Sequence, residues 1–198
     1  MTKSIVVYLP DGFNDWEGAF LLPLLRQVQR AMIIVSETGS PVSSIGGLKT
    51  QVNAELGAIS LNDIEALVLI GSDSWLLADH NKKAISVALD LFNRGSLVCA
   101  ICAATVALAR TGLLETRKHT SNDLDLLKSL VPSYQGKENY VDMLAVTDGN
   151  LITASGMGAL EFTLEIMRSL NIYPEEKRRQ WYSLYKEGIK PPAEFWSS

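Results

Sequence analysis

The chain is short of what several function classes need. Two cysteines (Cys99, Cys102) in 198 residues cannot carry a disulfide framework, and two histidines (His80, His119) are few for a structural metal. Lys and Arg number 18 against 22 Asp and Glu, a formal charge of -4, so the basic footprint that nucleic acid requires is missing. One local cluster, Lys177-Arg178-Arg179, reads as the solvated side of a charged helix. Long apolar runs are missing too. The most apolar stretch lies between Arg94 and Arg110, but Gly95, Ser96 and Thr105 interrupt it and it is shorter than the roughly 20 residues a bilayer needs. Ile5 to Leu9 is too short for the apolar core of a signal peptide, so a cytoplasmic protein without membrane or nucleic-acid partners is expected. Neither Gly-x-Ser-x-Gly nor a phosphate loop ending in Gly-Lys-Ser/Thr occurs. Gly156-Met157-Gly158 has Glu161 where a dinucleotide fingerprint needs its third glycine; close packing of a helix on a sheet explains it, and no cofactor is implied.

What is present is an ordinary globular composition, 47% hydrophobic and 20% charged, long enough for one full-sized domain and showing neither repeat nor linker. Unbroken apolar runs at 4–9, 32–35, 66–70 and 97–101 fit strands buried on both faces of a parallel sheet. Apolar spacing predicts helices over 14–30, with Pro23 kinking or unwinding the first, and over 79–94, 103–110 and 123–130. Further helices follow Gly158 and span 175–186, and the C-terminal segment with Trp181, Tyr182, Tyr185 and Trp196 has packing as its default reading, with covering a sheet edge, roofing the pocket or joining a dimer contact as the others. Residues 38–53 read as a loop with one short hairpin, and Asp148-Gly149-Asn150 as the turn joining 143–147 to 151–154. Strands alternating with helices argue for an α/β fold with a doubly wound, mostly parallel sheet and helices on both faces. In such sheets ligands bind at the carboxyl ends of the strands, which directs attention to the turns after Leu9, Ile70 and Ile101.

Those turns hold the candidates. The Cys-Ala-Ile-Cys spacing suggests a redox dithiol, but there both thiols start a helix, and Cys99 lies inside an apolar strand. A zinc site from both cysteines with His80 and His119 fails because residues three apart in a strand face opposite sides, so no metal is expected. Cys102 sits where strand passes into helix, facing backbone N–H donors and a helix dipole that favour thiolate, with Ala100, Ala103 and Ala104 leaving room for a sharp turn. A nucleophile elbow built on cysteine and a buried structural cysteine both fit that position. Glu17 has two readings as well: an acid moving a proton to or from Cys102, or the fourth residue of a helix cap begun by Asn14. The backbone N–H groups at Gly71, Ser72 and Ala103 are candidate oxyanion donors, although a Gly-Ser turn after a strand is common without catalysis. Asn122 and Asp123 read as ordinary helix caps, and His119 as a surface residue at a strand end.

Taken in order, Asp-Gly-Phe-Asn-Asp-Trp-Glu17, Leu-Val-Leu-Ile-Gly71-Ser72, Ala-Ile-Cys102-Ala-Ala, Thr-Gly-Leu-Leu and Ile-Thr-Ala-Ser-Gly156 resemble the ThiJ/PfpI superfamily from about Ile5 to Leu170. The resemblance implies a flavodoxin-like three-layer α/β/α sandwich like that of class I glutamine amidotransferases, commonly a homodimer. It implies Cys102 as nucleophile, Glu17 as a protonated acid bonded to it, and Ser72 and Ala103 as oxyanion donors. Two departures stand out. Ala103 replaces the histidine that many hydrolytic members carry after the cysteine, and Asn122 aligns where others supply one. Peptidase chemistry therefore loses its natural base, and Glu17 would have to move protons alone. Gly71-Ser72 stands for the usual Gly-Gly, which adds a side chain at the pocket. The expectation is a cysteine-dependent enzyme attacking a small reactive carbonyl, in the manner of a glyoxalase or deglycase. Its alternatives are a non-enzymatic oxidative-stress sensor whose cysteine becomes a sulfinate, and an amidase, peptidase or hydratase.

Overall fold

A computed structural model describes residues 3–196. Its strands and helices run β1 Ser4–Tyr8, α1 Leu21–Gln27, β2 Met32–Ser36, β3 Val42–Ser43, β4 Lys49–Thr50, β5 Ala54–Glu55, β6 Ile64–Leu69 and α2 Lys82–Asn93. There follow β7 Leu97–Ile101, α3 Ala103–Ala109, α4 Leu124–Leu130, β8 Ala145–Asp148, β9 Leu151–Ala154, α5 Ala159–Ser169 and α6 Glu175–Glu187. Seven strands form one sheet in the order β5-β2-β1-β6-β7-β9-β8, all neighbours parallel except β8 and β9. The chain winds outward from β1 through β2 to β5, then returns to place β6 on the other side of β1. The order of winding thus reverses between β1 and β6, the point at which a crevice is expected at the carboxyl ends of the strands.

Alternation along the buried strands divides the core. Ile5, Val7, Val68, Ile101 and Ile152 face one side, packed beneath Leu21, Leu24, Leu25, Phe162, Met167 and Trp181 from α1, α5 and α6. Val6, Tyr8, Leu67, Val98 and Ala100 face the other, beneath Ala88, Leu91, Leu108 and Leu127 from α2, α3 and α4. This is the three-layer sandwich. All seven residues of α3 are buried, which only a helix of small and apolar side chains permits. The strand-end turns on this rigid double core can therefore be held to a fixed geometry.

Several boundaries differ from expectation for local reasons. The first helix does not begin at residue 14: a 3₁₀ turn at Asp15–Glu17 precedes it, and α1 starts at Leu21. Pro23 then falls in the first turn, where no intrahelical donor is needed, so it does not kink the helix. The second helix starts at Lys82, not 79, because Asn81 adopts a left-handed conformation (φ 55°) held by its side-chain bonds to Tyr8 and Ser74. The 38–53 loop does contain a hairpin, β3 with β4, but the two-residue edge strand β5 gives too short a signal to be read in advance. Arg178 and Arg179 of the basic cluster pair with Glu175 and Glu176 one turn away. Among the described residues no helix is long and apolar enough to cross a membrane.

Candidate functional site

The sharpest feature of the crevice is the backbone at Cys102, which links β7 to α3 with φ 60° and ψ -131°. A non-glycine residue there costs on the order of 1–3 kcal/mol and persists only where its surroundings over-determine it. They do so here. The Cys102 N–H donates to the Ala154 carbonyl (2.9 Å), while its carbonyl accepts from the Thr105 N–H (3.0 Å) and the Thr105 hydroxyl (2.5 Å). Thr105 Oγ1 also meets Ser121 Oγ at 2.7 Å. The turn pushes the sulfur out of the sheet, leaving it partly exposed, whereas Cys99 three residues earlier is wholly buried among the apolar side chains beneath α1 and α5.

Four turns converge on that sulfur. From the turn after β1 comes Glu17, fully buried, whose carboxyl accepts from Asn14 Nδ2 (2.6 Å) and from the Gly71 N–H (2.6 Å) and is hydrogen bonded to Cys102. Asn14 Nδ2 also approaches Sγ at 3.8 Å. Asn122 donates its amide to Sγ at 3.3 Å and fixes its orientation by accepting the Gly156 N–H at 2.8 Å. The Ala103 N–H, at the start of α3, completes the set of donors to sulfur. Two glycines give the site its closeness. A Cβ on Gly71 would lie 2.5 Å from Glu17 Oε2 and 2.8 Å from Cys102 Cβ, and one on Gly156 would lie 2.9 Å from Sγ.

The electrostatics follow from burial. Loss of water raises Glu17 above an ordinary carboxyl, against the three hydrogen bonds, from Asn14, Gly71 and Cys102, that favour its charged form. Burial first, then the negative charge of Glu17, push the Cys102 thiol up to about 11, while the Asn122 amide and Ala103 N–H pull it down. The two acids therefore bear on each other: a charge on either one disfavours a charge on the other. Once the first proton leaves, one proton remains between them, and when it sits on Glu17 the repulsion on the sulfur disappears. Burial alone drives Cys99 far above an ordinary thiol.

Of the residues singled out from sequence, Cys102, Glu17, Asn122 and Ala103 are brought together. Gly71 and Ser72 lie at the same place with altered duties. The Gly71 N–H is committed to Glu17 and is not an oxyanion donor, because the buried carboxylate takes it first. The Ser72 hydroxyl, expected in the pocket, instead donates to the Asp11 carbonyl (2.9 Å) and accepts the Ser74 N–H (3.2 Å), tying two crevice turns together. Glu17 makes no reach-back cap: the Asn14 side chain caps no backbone group and bonds the carboxylate instead. Asp123, not Asn122, caps α4, accepting the Leu126 N–H. His119 is buried, not superficial, since the segment around Tyr140 pairs with it. Its Nδ1 lies 2.7 Å from the Arg117 carbonyl and its Nε2 2.6 Å from the Tyr134 hydroxyl, which fixes the Nδ1–H tautomer, and burial lowers its pKa. His80 lies elsewhere, on a cavity of about 480 Å3 bounded also by Tyr8, Glu37 and Asn81, which Cys102 does not line.

Asn14 and Gly156 were missed as site residues. Asn14-x-x-Glu17 copies a helix-capping pattern, and only the tertiary approach of Gly71 reveals its other use. Gly156, to which the sequence assigns helix packing, seats against Cys102, and close packing falls to Gly158, whose added Cβ would strike the Leu144 carbonyl at 2.3 Å.

The profile of the DJ-1/PfpI family matches residues 3–169. The Bacillus subtilis protein named Uncharacterized protease YdeA is 35% identical over 183 residues, covering 92% of this chain and 90% of its own. A thiJ/pfpI family protein from Bacillus anthracis, solved by crystallography, superposes with a TM-score of 0.90 at 31% identity, covering 100% of this chain and 95% of its own. A protein named as a deglycase, from Thermococcus kodakarensis, is 25% identical over 159 residues, 79% of this chain and 92% of its own.

Proposed function

The chain belongs to the DJ-1/PfpI family, and from that premise we propose that it is a cysteine-dependent enzyme acting on small reactive carbonyl compounds, as a glyoxalase or deglycase does. One observation carries the reading: a strained, partly exposed Cys102 in hydrogen-bond contact with a buried carboxyl. The Glu17–Cys102 pair, holding one proton and one negative charge, attacks an aldehyde carbon. A C–S bond forms, the carbonyl π bond opens to an alkoxide, and the proton held by Glu17 passes to that oxygen, giving a hemithioacetal. With a 2-oxoaldehyde, Glu17 then moves the C1 proton to C2, producing a thioester. Water hydrolyses it to a 2-hydroxy acid and restores the thiol, with no external oxidant or reductant. The developing oxygen charge would be received by the N–H groups of Ala103 and Ser72 and by the amide of Asn122, a role supported for Ala103 and Asn122 by their bonds to Cys102.

Peptidase chemistry is the weaker reading. Both nitrogens of His119 are occupied away from the sulfur, so no imidazole from it is offered as a base. A stress-sensor reading draws on the same donors: Asn14, Asn122 and the Ala103 N–H would bond the oxygens of a Cys102 sulfinate. A second copy of the chain, as in a homodimer, would find an apolar surface at the exposed Ile45 and Leu48 of the β3–β4 turn.

The test is turnover of methylglyoxal to its 2-hydroxy acid by the full chain, alongside Cys102→Ser and Glu17→Gln. Activity in the native chain that falls to background in both variants supports the enzyme. Turnover surviving Cys102→Ser overturns it. A native chain without turnover, whose Cys102 gains two oxygens under mild peroxide and more slowly in Glu17→Gln, transfers the assignment to the sensor.

A further inference from the structure

The residue beside Glu17 is left over by this mechanism. Trp16 lies between site residues, Asn14 and Glu17 being buried, yet it is 50% exposed. Its position is fixed: Nε1–H donates to the Gly156 carbonyl at 3.0 Å, bridging the turns after β1 and β9. Gly156 is the residue that seats against Sγ, so the indole borders the mouth above the sulfur. The next residue along, Met157, is 84% exposed. An indole held by its N–H and bared on its ring, with an exposed thioether on the residue that follows its hydrogen-bond partner, offers an apolar rim to an otherwise polar site.

The chemistry beneath the rim narrows what fits. The donors that reach Sγ and the Glu17 carboxyl are neutral amides, from Asn14, Asn122, Gly71 and Ala103. The pair they surround carries a negative charge of its own once its first proton is lost. A substrate bearing a carboxylate or phosphate beside its carbonyl would meet that charge without a cation among these donors.

We propose that Trp16, with Met157, is the specificity-determining subsite of this enzyme, and that its substrates are neutral carbonyl compounds whose apolar, preferentially aromatic substituent lies against the indole. The inference rests on Cys102 being the attacking group. The reacting carbon sits over Sγ and its substituent points outward along the rim. The Trp16 side chain takes no part in proton movement.

Alkylation tests the subsite without relying on turnover. The full chain is treated with phenacyl bromide, iodoacetamide and bromoacetate, and each rate of Cys102 modification is divided by that reagent's rate with glutathione. The aryl reagent should be favoured over iodoacetamide by about tenfold, the scale of one good aromatic contact, and bromoacetate should be the slowest. Trp16→Ala should bring the aryl preference within about twofold of parity, Trp16→Phe should keep most of it, and the exposed Met157→Ala should lower it by about half. If Trp16→Ala leaves the preference intact, slows all three reagents alike, or if bromoacetate is fastest in the native chain, the subsite is overturned. Phenylglyoxal turnover is measured in parallel. A Trp16-dependent preference without turnover upholds the subsite and sinks the catalytic assignment, whereas turnover without the preference does the reverse.

Discussion

Two buried polar clusters lie close in this molecule and are used in opposite ways. Around His119, both ring nitrogens are paired, the ring meets Tyr134 and Tyr140 edge-on, and the imidazole is held neutral. Around Cys102, two acids share a site with neutral donors, the backbone is strained, and the sulfur remains partly open. The lesson is that burial and hydrogen bonding alone do not mark chemistry. A closed cluster fixes architecture. A cluster that sets two acids side by side against an opening is a candidate for chemistry.

The largest effect that would break this contrast is at the sulfur itself. Cys102→Ser should reduce carbonyl turnover by more than about a thousandfold while the chain stays folded, read from steady-state rates and a melting curve. Next come the glycines that let the turns close. Gly71→Ala drives a methyl group into Glu17 and Cys102; a loss of about a hundredfold in turnover and about 1–3 kcal/mol in stability is expected from kinetics and denaturant unfolding.

On the architectural side, His119→Ala should cost about 1–3 kcal/mol by orphaning the Tyr134 hydroxyl, yet leave the Cys102 alkylation profile unmoved. The sign of its pH dependence is fixed as well. A folded-state pKa lowered from 6.5 means that the unfolded chain binds the extra proton, so this contribution to stability is present above about pH 6.5 and is lost as pH falls through the folded value. Glu17, raised in the fold, acts oppositely: its contribution is full below its unfolded value of 4.5 and is lost as pH rises through the folded one. Unfolding midpoints at two pH values, in native chain, His119→Gln and Glu17→Gln, separate the two. The smallest effect belongs to Cys99→Ala, about 1 kcal/mol of packing and no change at Cys102, checked by the same unfolding and alkylation assays.

How far this was legible in sequence differs between the two clusters. The strands and the doubly wound sheet follow from apolar runs, which are local signals, whereas the strand-to-helix passage at Cys102 fits both an elbow and a buried structural cysteine until the family resemblance is added. Glu17 was ambiguous because its neighbours spell a helix cap; the contest is decided by Gly71, 54 positions away, which no local pattern reports. His119 was misplaced for the same reason: the bridge to Tyr140 that buries it comes from a segment with no strong strand pattern. Gly156 looked like packing because a glycine carries no chemistry to read, and only the position of Cys102 gives its missing Cβ a meaning. Local periodicity sets the scaffold, and long-range approach of strand-end turns decides which polar residues meet.

The most direct measurement is the pH dependence of Cys102 alkylation, followed by mass spectrometry, in the native chain and in Glu17→Gln. A proton shared by the pair, as proposed, should make native reactivity rise as the first proton leaves, in the range of a raised carboxyl and below the thiol's own value of about 11. In Glu17→Gln that step is gone, and the midpoint should move up toward the thiol range while staying below about 11, since the opposing charge has also been removed. Cys99 should remain unmodified in both. Identical profiles in the two proteins, rising only as an ordinary or buried thiol ionises, would contradict a shared proton and leave Cys102 an unactivated cysteine.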